Sequence, residues 1–183
     1  MIAFTRRFAL VAAAVLAATF AAPAFAQTGT PHLILTLEGG DVDIELLPAL
    51  APKHVERIVT LTNEGFYNGV VFHRVIDGFM AQTGDPTGTG MGGSELPDLA
   101  AEFTDTESFQ RGVLGMARAQ DPNSANSQFF ITYADASFLD GQYTIFGKVV
   151  SGMEYVDALP KGTDQSGMVQ NPGKIVSAKI EYK

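Results

Sequence analysis

The 183-residue sequence predicts an all-β fold, a closed antiparallel sheet with helices covering its open ends. Two observations carry this reading. Short runs of period-two alternation recur along most of the chain, whereas only two segments show helical spacing. Closure follows because an open sheet of so many strands would expose its edges.

The elements follow in order. Residues 1–26 carry Arg6 and Arg7, an apolar alanine-rich run from Phe8 to Phe20, and Pro23-Ala24-Phe25-Ala26, the A-x-A form of a secretory cleavage site. The apolar run is short for a membrane span and no second hydrophobic segment follows it. A signal peptide over 1–26 and one mature domain over 27–183 are therefore expected, with a periplasmic destination; the TRRFAL motif also loosely suggests the twin-arginine route. Next, 33–37 and 42–46 alternate, with Asp41, Asp43 and Glu45 interleaved among Val42, Ile44 and Leu46, and Gly39-Gly40 is placed as a two-residue hairpin turn. The stretch APKHVERIVTLTNEG reads as an amphipathic helix, with Pro52 in its first turn and Val55, Ile58, Val59 and Thr62 at helical spacing. Period two returns at 70–76, 78–84, 111–117, 127–134, 143–150 and 174–182. A second helix is expected in GMEYVDAL, residues 152–159.

Charge and composition exclude several classes. Loss of residues 1–26 removes two of the 12 basic residues and none of the 20 acidic ones, taking the formal charge from −8 to −10. Such a chain is a poor partner for nucleic acid or anionic membranes. Cysteine is absent, so disulfides, thiolate chemistry and Cys-based zinc sites are excluded. The three histidines are too scattered for a metal site, and no cofactor is expected. His73 is expected to be packed or hydrogen-bonded inside the barrel, His54 to lie on the helix surface, and His32 to lie near the mature end. Nothing in the sequence requires more than a monomer.

GTGMGG, residues 88–93, has the G-x-G-x-x-G spacing of a pyrophosphate cradle. That fingerprint requires a preceding strand and a helix opening directly after it. Here Gly84-Asp85-Pro86-Thr87 precedes it as a turn, and Pro97 interrupts any helix after it. The glycines read as a connection.

Several polar residues look misplaced. Arg74 lies inside the apolar run VVFHRVI, where alternation puts it on one face with Phe72 and Ile76. Met80 shares a face with Gln82 on the next strand, and Gln128 with Phe130 on another. Singly these are ordinary wet-face residues; jointly they suggest a groove on the outside of the barrel, apolar with a few fixed donors.

FHRVIDGFMAQTGDPTGTGMGG, followed by GVLGMARAQDPNSANSQFFITYADASFLDGQYTIFGKVVSGMEYVD, resembles the cyclophilin family of peptidyl-prolyl cis/trans isomerases, across roughly residues 32–182. The resemblance implies an all-β, closed eight-stranded antiparallel barrel capped by two α-helices. It makes GDPTGTGMGG a loop beside a proline pocket, where glycines permit tight turns and close approach. It makes Arg74 the catalytic guanidinium, with Gln82 holding Arg74 or the substrate backbone. It makes Phe79, Met80, Phe130 and Leu139 the walls of the pocket. Ala117, Arg118 and Gln128 line the neighbouring groove, and Phe138 and Tyr143 complete its rim. The chain departs from the family pattern at Asp77 (usually Pro), Thr83 (often Gly), Phe138 (often Trp), Tyr143 (often His) and Arg118 (often Asn).

Isomerisation suits such residues. Rotation about an X-Pro bond meets a barrier of about 18–20 kcal/mol, and no bond is made or broken. In the twisted state the proline nitrogen becomes basic, so a donor aimed at it favours that state over either planar form. The implied partners are proline-containing peptides and folding exported proteins, with weak binding of cyclosporin, the inhibitor associated with the family. A peptide-binding or holdase module with little turnover remains the alternative, since fold alone does not fix activity. A barrel enclosing a small ligand fits less well, because the interior faces look filled by Val, Ile, Leu and Phe.

Overall fold

The computed structural model describes residues 29–183, so the expected signal peptide lies outside the described residues. The hairpin shows how alternation becomes architecture. Strands β1 (Pro31–Thr36) and β2 (Asp41–Leu46) pair antiparallel, and Val42, Ile44 and Leu46 are buried while Asp41, Asp43 and Glu45 face out. The turn is displaced by one residue from its expected place. Leu37 and Gly40 exchange backbone hydrogen bonds and close the hairpin, so its two loop residues are Glu38 and Gly39.

The chain continues through α1 (Pro52–Asn63), β3 (Arg74–Ile76), β4 (Met80–Thr83), β5 (Val113–Met116), β6 (Phe129–Thr132), a 3₁₀ turn (Ser137–Leu139), β7 (Ile145–Ser151), α2 (Met153–Asp157) and β8 (Ser177–Tyr182). All eight expected strands form. The central ones are shorter than their alternating runs because loops claim the ends. The sheet order is β3-β4-β6-β5-β7-β2-β1-β8, with every neighbouring pair antiparallel. It curls so that inward residues such as Leu33, Ile44, Ala81, Leu114, Phe129 and Phe146 meet in one core.

Strand-to-strand closure, expected from the sequence, is not what the ladder displays: β3 and β8 are its two ends. The segment 162–176 lies against 69–76 instead. Phe72 N–H donates to the Gly173 carbonyl, Val169 N–H to His73 and Val75 N–H to Gly167, with an isolated bridge between Val71 and Lys174. Pro172 has no N–H to give, and with Gly167 and Gly173 it interrupts a regular strand there.

Helix α1 buries Val55, Ile58, Leu61 and Thr62 against the core. His54, expected on the surface, is fully buried. Its Nδ1–H donates to Glu102 Oε2 at 2.7 Å, and the same carboxylate accepts the Lys53 and His54 backbone N–H groups. Glu102 thus caps a helix whose N-cap, Ala51, has no side chain to do so. Helix α2 is shorter than expected, although Leu159 stays buried beyond its end.

Candidate active site

Register assembles the site. Arg74 on β3 pairs with Gln82 on β4, Gln82 with Phe130 on β6, and Phe130 with Gly115 on β5. These four residues form one row across four adjacent strands, on the face opposite the core. Two strand positions away Met80 pairs with Thr132. Arg74 does share a face with Ile76, but Phe72 belongs to the interior core. The run before Arg74 is held by one isolated bridge and not a ladder, so alternation does not extend through it.

A second apolar cluster lies under this row, built on Met80, Phe109, Phe130, Ala136 and Ile145. Phe130 stacks on Phe109 at 5.6 Å between centroids. A Cβ at Gly115 would collide with both rings, so glycine is what lets them pack there. The cluster forms the floor of a cavity of about 210 Å³ lined by Arg74, Phe79, Met80, Gln82, Ala117, Arg118, Phe130, Leu139 and Tyr143. A second cavity, of about 440 Å³, shares Gln82, Ala117 and Arg118 with the first and contains Gln128. Of the residues that the resemblance assigns to the pocket, groove and rim, only Phe138 lines neither. It projects into solvent with its ring 5.6 Å from that of Phe79.

Polar groups at the site form a continuous chain. Arg74 Nε–H donates to the Ser166 carbonyl at 2.9 Å and Nη1–H to Gln82 Oε1 at 3.2 Å. Gln82 Nε2 donates to Gln128 Oε1 at 2.9 Å, and Gln128 Nε2 donates to the Gly90 and Gly92 carbonyls. Among the described residues the Arg74 Nη2 hydrogens have no protein acceptor. Arg118 is committed elsewhere: its guanidinium donates to the carbonyls of Ala119, Gln120 and Gln142 and lies 4.7 Å over the Tyr143 ring. Tyr143 in turn stands edge-on to Phe130. Arg118 and Tyr143, two departures from the family pattern, therefore form a pair that closes one side of the cavity. Thr83, another departure, donates its hydroxyl to the Val71 carbonyl.

The glycine-rich loop does bind an anion, but the anion is the chain's own. Asp85 is fully buried and accepts backbone N–H bonds from Thr87, Thr89, Gly90 and Gly92, plus the Thr87 hydroxyl. Burial alone would raise its pKa; the surrounding donors outweigh that and bring it down to about 2. A Cβ at Gly92 would collide with Asp85 Oδ1. Asp85, Phe109, Gly115 and the Ser166 carbonyl are parts of the site that the sequence did not single out. For Asp85 the signal was available: an acid followed by alternating Thr and Gly is the pattern of a loop folding back on a carboxylate.

Comparison with known proteins accords with this geometry. The family model described as cyclophilin type peptidyl-prolyl cis-trans isomerase/CLD matches residues 32–180. A probable peptidyl-prolyl cis-trans isomerase of Brucella suis is 54% identical, with 96% of each chain covered. Peptidyl-prolyl cis-trans isomerase A of Dickeya dadantii is 41% identical over 98% of this chain and 100% of its own. Among solved structures, a Cryptosporidium parvum cyclophilin type isomerase, crystallised in the presence of the dipeptide Ala-Pro, superposes with TM-score 0.76 at 34% identity, covering 83% of this chain and 99% of its own. A curled eight-stranded antiparallel sheet with an arginine set over an outward apolar cavity defines the class, that of the prolyl isomerases with a cyclophilin fold. The chain belongs to the cyclophilin family, and its activity is peptidyl-prolyl cis/trans isomerisation.

Proposed function

We propose that the smaller cavity holds the proline ring of an X-Pro segment and that Arg74 is the catalytic guanidinium. The observation that carries this reading is the cross-strand row, which sets a fixed cation at the edge of an apolar cavity floored by Met80 and Phe130. The ring packs against Phe79, Met80, Phe130 and Leu139. The Arg74 Nη2 hydrogens turn toward the proline nitrogen as conjugation is lost. An arginine stays protonated and offers several donors in a rigid fork. One charge-assisted bond contributes about 1.5–3 kcal/mol, roughly 10- to 100-fold in rate. The remainder comes from an apolar wall that holds the ring still and removes water from the amide. Gln82 positions Arg74, and the larger cavity, with Ala117, Arg118 and Gln128, takes neighbouring residues of the peptide.

The sheet acts as a closed barrel in this reading, with the segment 162–176 standing in for the missing strand pair; its hydrogen bonds to 69–76 support that. The mature chain, residues 27–183, works as a periplasmic monomer on exported proteins after removal of 1–26, supported by the Ala24-Phe25-Ala26 site. Mass spectrometry of the secreted protein should find Gln27 as its first residue; an intact Met1 start refutes the export reading.

Arg74→Ala is expected to lower turnover of an X-Pro peptide at least about tenfold with an unchanged circular dichroism spectrum, and Arg74→Lys to rescue poorly for want of the fork. Near-normal turnover in Arg74→Ala would remove the mechanistic assignment and place the catalytic donor on another residue.

A further inference from the structure

We propose that Asp85 is a positioning residue for Arg74, acting through the glycine-rich loop and two glutamine amides; the proposal rests on the reading of Arg74 as the catalytic group. A glutamine amide has a donor end and an acceptor end, and a chain of amides therefore has a polarity. Gly90 and Gly92 present carbonyl oxygens to Gln128, and a carbonyl only accepts. Gln128 must turn its NH₂ to the loop and its Oε1 to Gln82. Gln82 must then give its NH₂ to Gln128 and its Oε1 to Arg74. Reversed, the chain would put an NH₂ donor against a guanidinium, and the two would repel.

The loop can impose this polarity only while its carbonyls stay aimed at Gln128. Gly90 and Gly92 are the two residues concerned, and Asp85 holds both by their nitrogens, at 2.6 and 3.1 Å. Each glycine is thus pinned at its N–H by the buried carboxylate and used at its C=O by the amide chain. Glycine at these positions has no side chain with which to hold itself in place, and the Gly92 carbonyl can approach Gln128 only because nothing fills the space beside Asp85. Asp85 stands outside the cavity around Arg74 and touches neither Arg74 nor Gln82 through any hydrogen bond. Its influence on the guanidinium runs through the loop. Arg74 has one further tether, the Ser166 carbonyl on Nε. Without Gln82 it keeps a pivot and loses its aim.

The test uses Asp85→Asn and Gln128→Glu beside wild type and Arg74→Ala. Asp85→Asn puts an NH₂ among four N–H donors, and Gln128→Glu sets a carboxylate against two carbonyls while leaving Asp85 in place. Asp85→Asn is expected to lower kcat about fivefold with KM changed less than about twofold, because substrate contacts are kept and the aim of Arg74 is lost; Gln128→Glu, which also alters a groove contact, is expected to lower kcat to a similar extent and to raise KM as well. Both should also move the Arg74 Nε and Gln82 side-chain amide resonances in ¹⁵N NMR spectra. In an Arg74→Ala background, Asp85→Asn should have no further effect on turnover. Wild-type kcat in Asp85→Asn, relay resonances that stay in place, or an equal loss in the Arg74→Ala background would each overturn the proposal. If Asp85→Asn fails to fold, Gln128→Glu decides by kcat, by the Arg74 and Gln82 resonances, and by the absence of a further loss of kcat in the Arg74→Ala background. Full turnover in Arg74→Ala itself would instead bring down the reading of the site, so the two failures are distinguishable.

Discussion

At the scale of single residues, Phe138 is the position where binding of a large inhibitor is expected to part from turnover of substrate. The residue is 64% exposed and its ring lies tilted against that of Phe79, while the residues around the smaller cavity do not include it. An indole there would offer an N–H donor and a broader apolar face; phenylalanine keeps part of the area and no donor. Wild type should therefore bind cyclosporin weakly. Phe138→Trp should tighten binding by about 1–2 kcal/mol, with turnover of a short X-Pro peptide changed only a few-fold. Titration calorimetry on both proteins decides, and equal affinities would shift attention to Tyr143 and Arg118. How each residue could be found differs for a physical reason. Arg74, Met80, Gln82, Gln128 and Phe130 stand out by alternation, because a strand's two faces are written in its sequence. Phe79, Ala117, Arg118, Leu139 and Tyr143 carry no such pattern and were legible only through family resemblance. The Ser166 carbonyl that holds Arg74 is a backbone atom 92 positions away, and no side chain announces it.

Among the elements, α1 depends most on a distant residue. Its first turn contains no acidic side chain and its N-cap is alanine, yet its orphan N–H groups at Lys53 and His54 are satisfied by Glu102. Glu102→Ala is expected to destabilise the protein by about 1–2 kcal/mol, the usual loss for a missing cap with a favourable charge at the helix start. Denaturant melts would register it as a lower midpoint with an unchanged slope, and an unchanged midpoint would mean that solvent caps the helix equally well. Elements whose signal is local were legible: the eight strands and the body of α1 follow from periodicity. The hairpin turn sits one residue from its expected place because a Gly-Gly pair offers the local freedom a turn uses, whereas the register of β1 on β2 selects Glu38 and Gly39.

For the whole molecule, acid stability tests how its buried polar groups are arranged. His54 and His73 are buried, and burial pushes both imidazole pKa values down from 6.5. At His54 the Glu102 partner opposes that shift without cancelling it; His73 has neither ring nitrogen hydrogen-bonded among the described residues. A histidine whose folded pKa is depressed binds fewer protons folded than unfolded between the two values. Stability is then full above about pH 6.5 and falls as pH drops through that window. The buried or capping carboxylates act lower. For Asp85 and Glu102 burial favours the neutral acid, but hydrogen bonds to the ionised form win and depress the pKa, to about 2 for Asp85. Their stabilisation is present above the unfolded carboxylate range and is lost as pH falls below it. Stability against urea should therefore decline in two stages, the first from about pH 6.5 and the second below about pH 4.5. His73→Phe removes two unpartnered nitrogens and should shrink the first stage without abolishing it, since His54 remains. A midpoint that stays level from about pH 7 to pH 5 in wild type would mean that neither imidazole is held neutral by the fold.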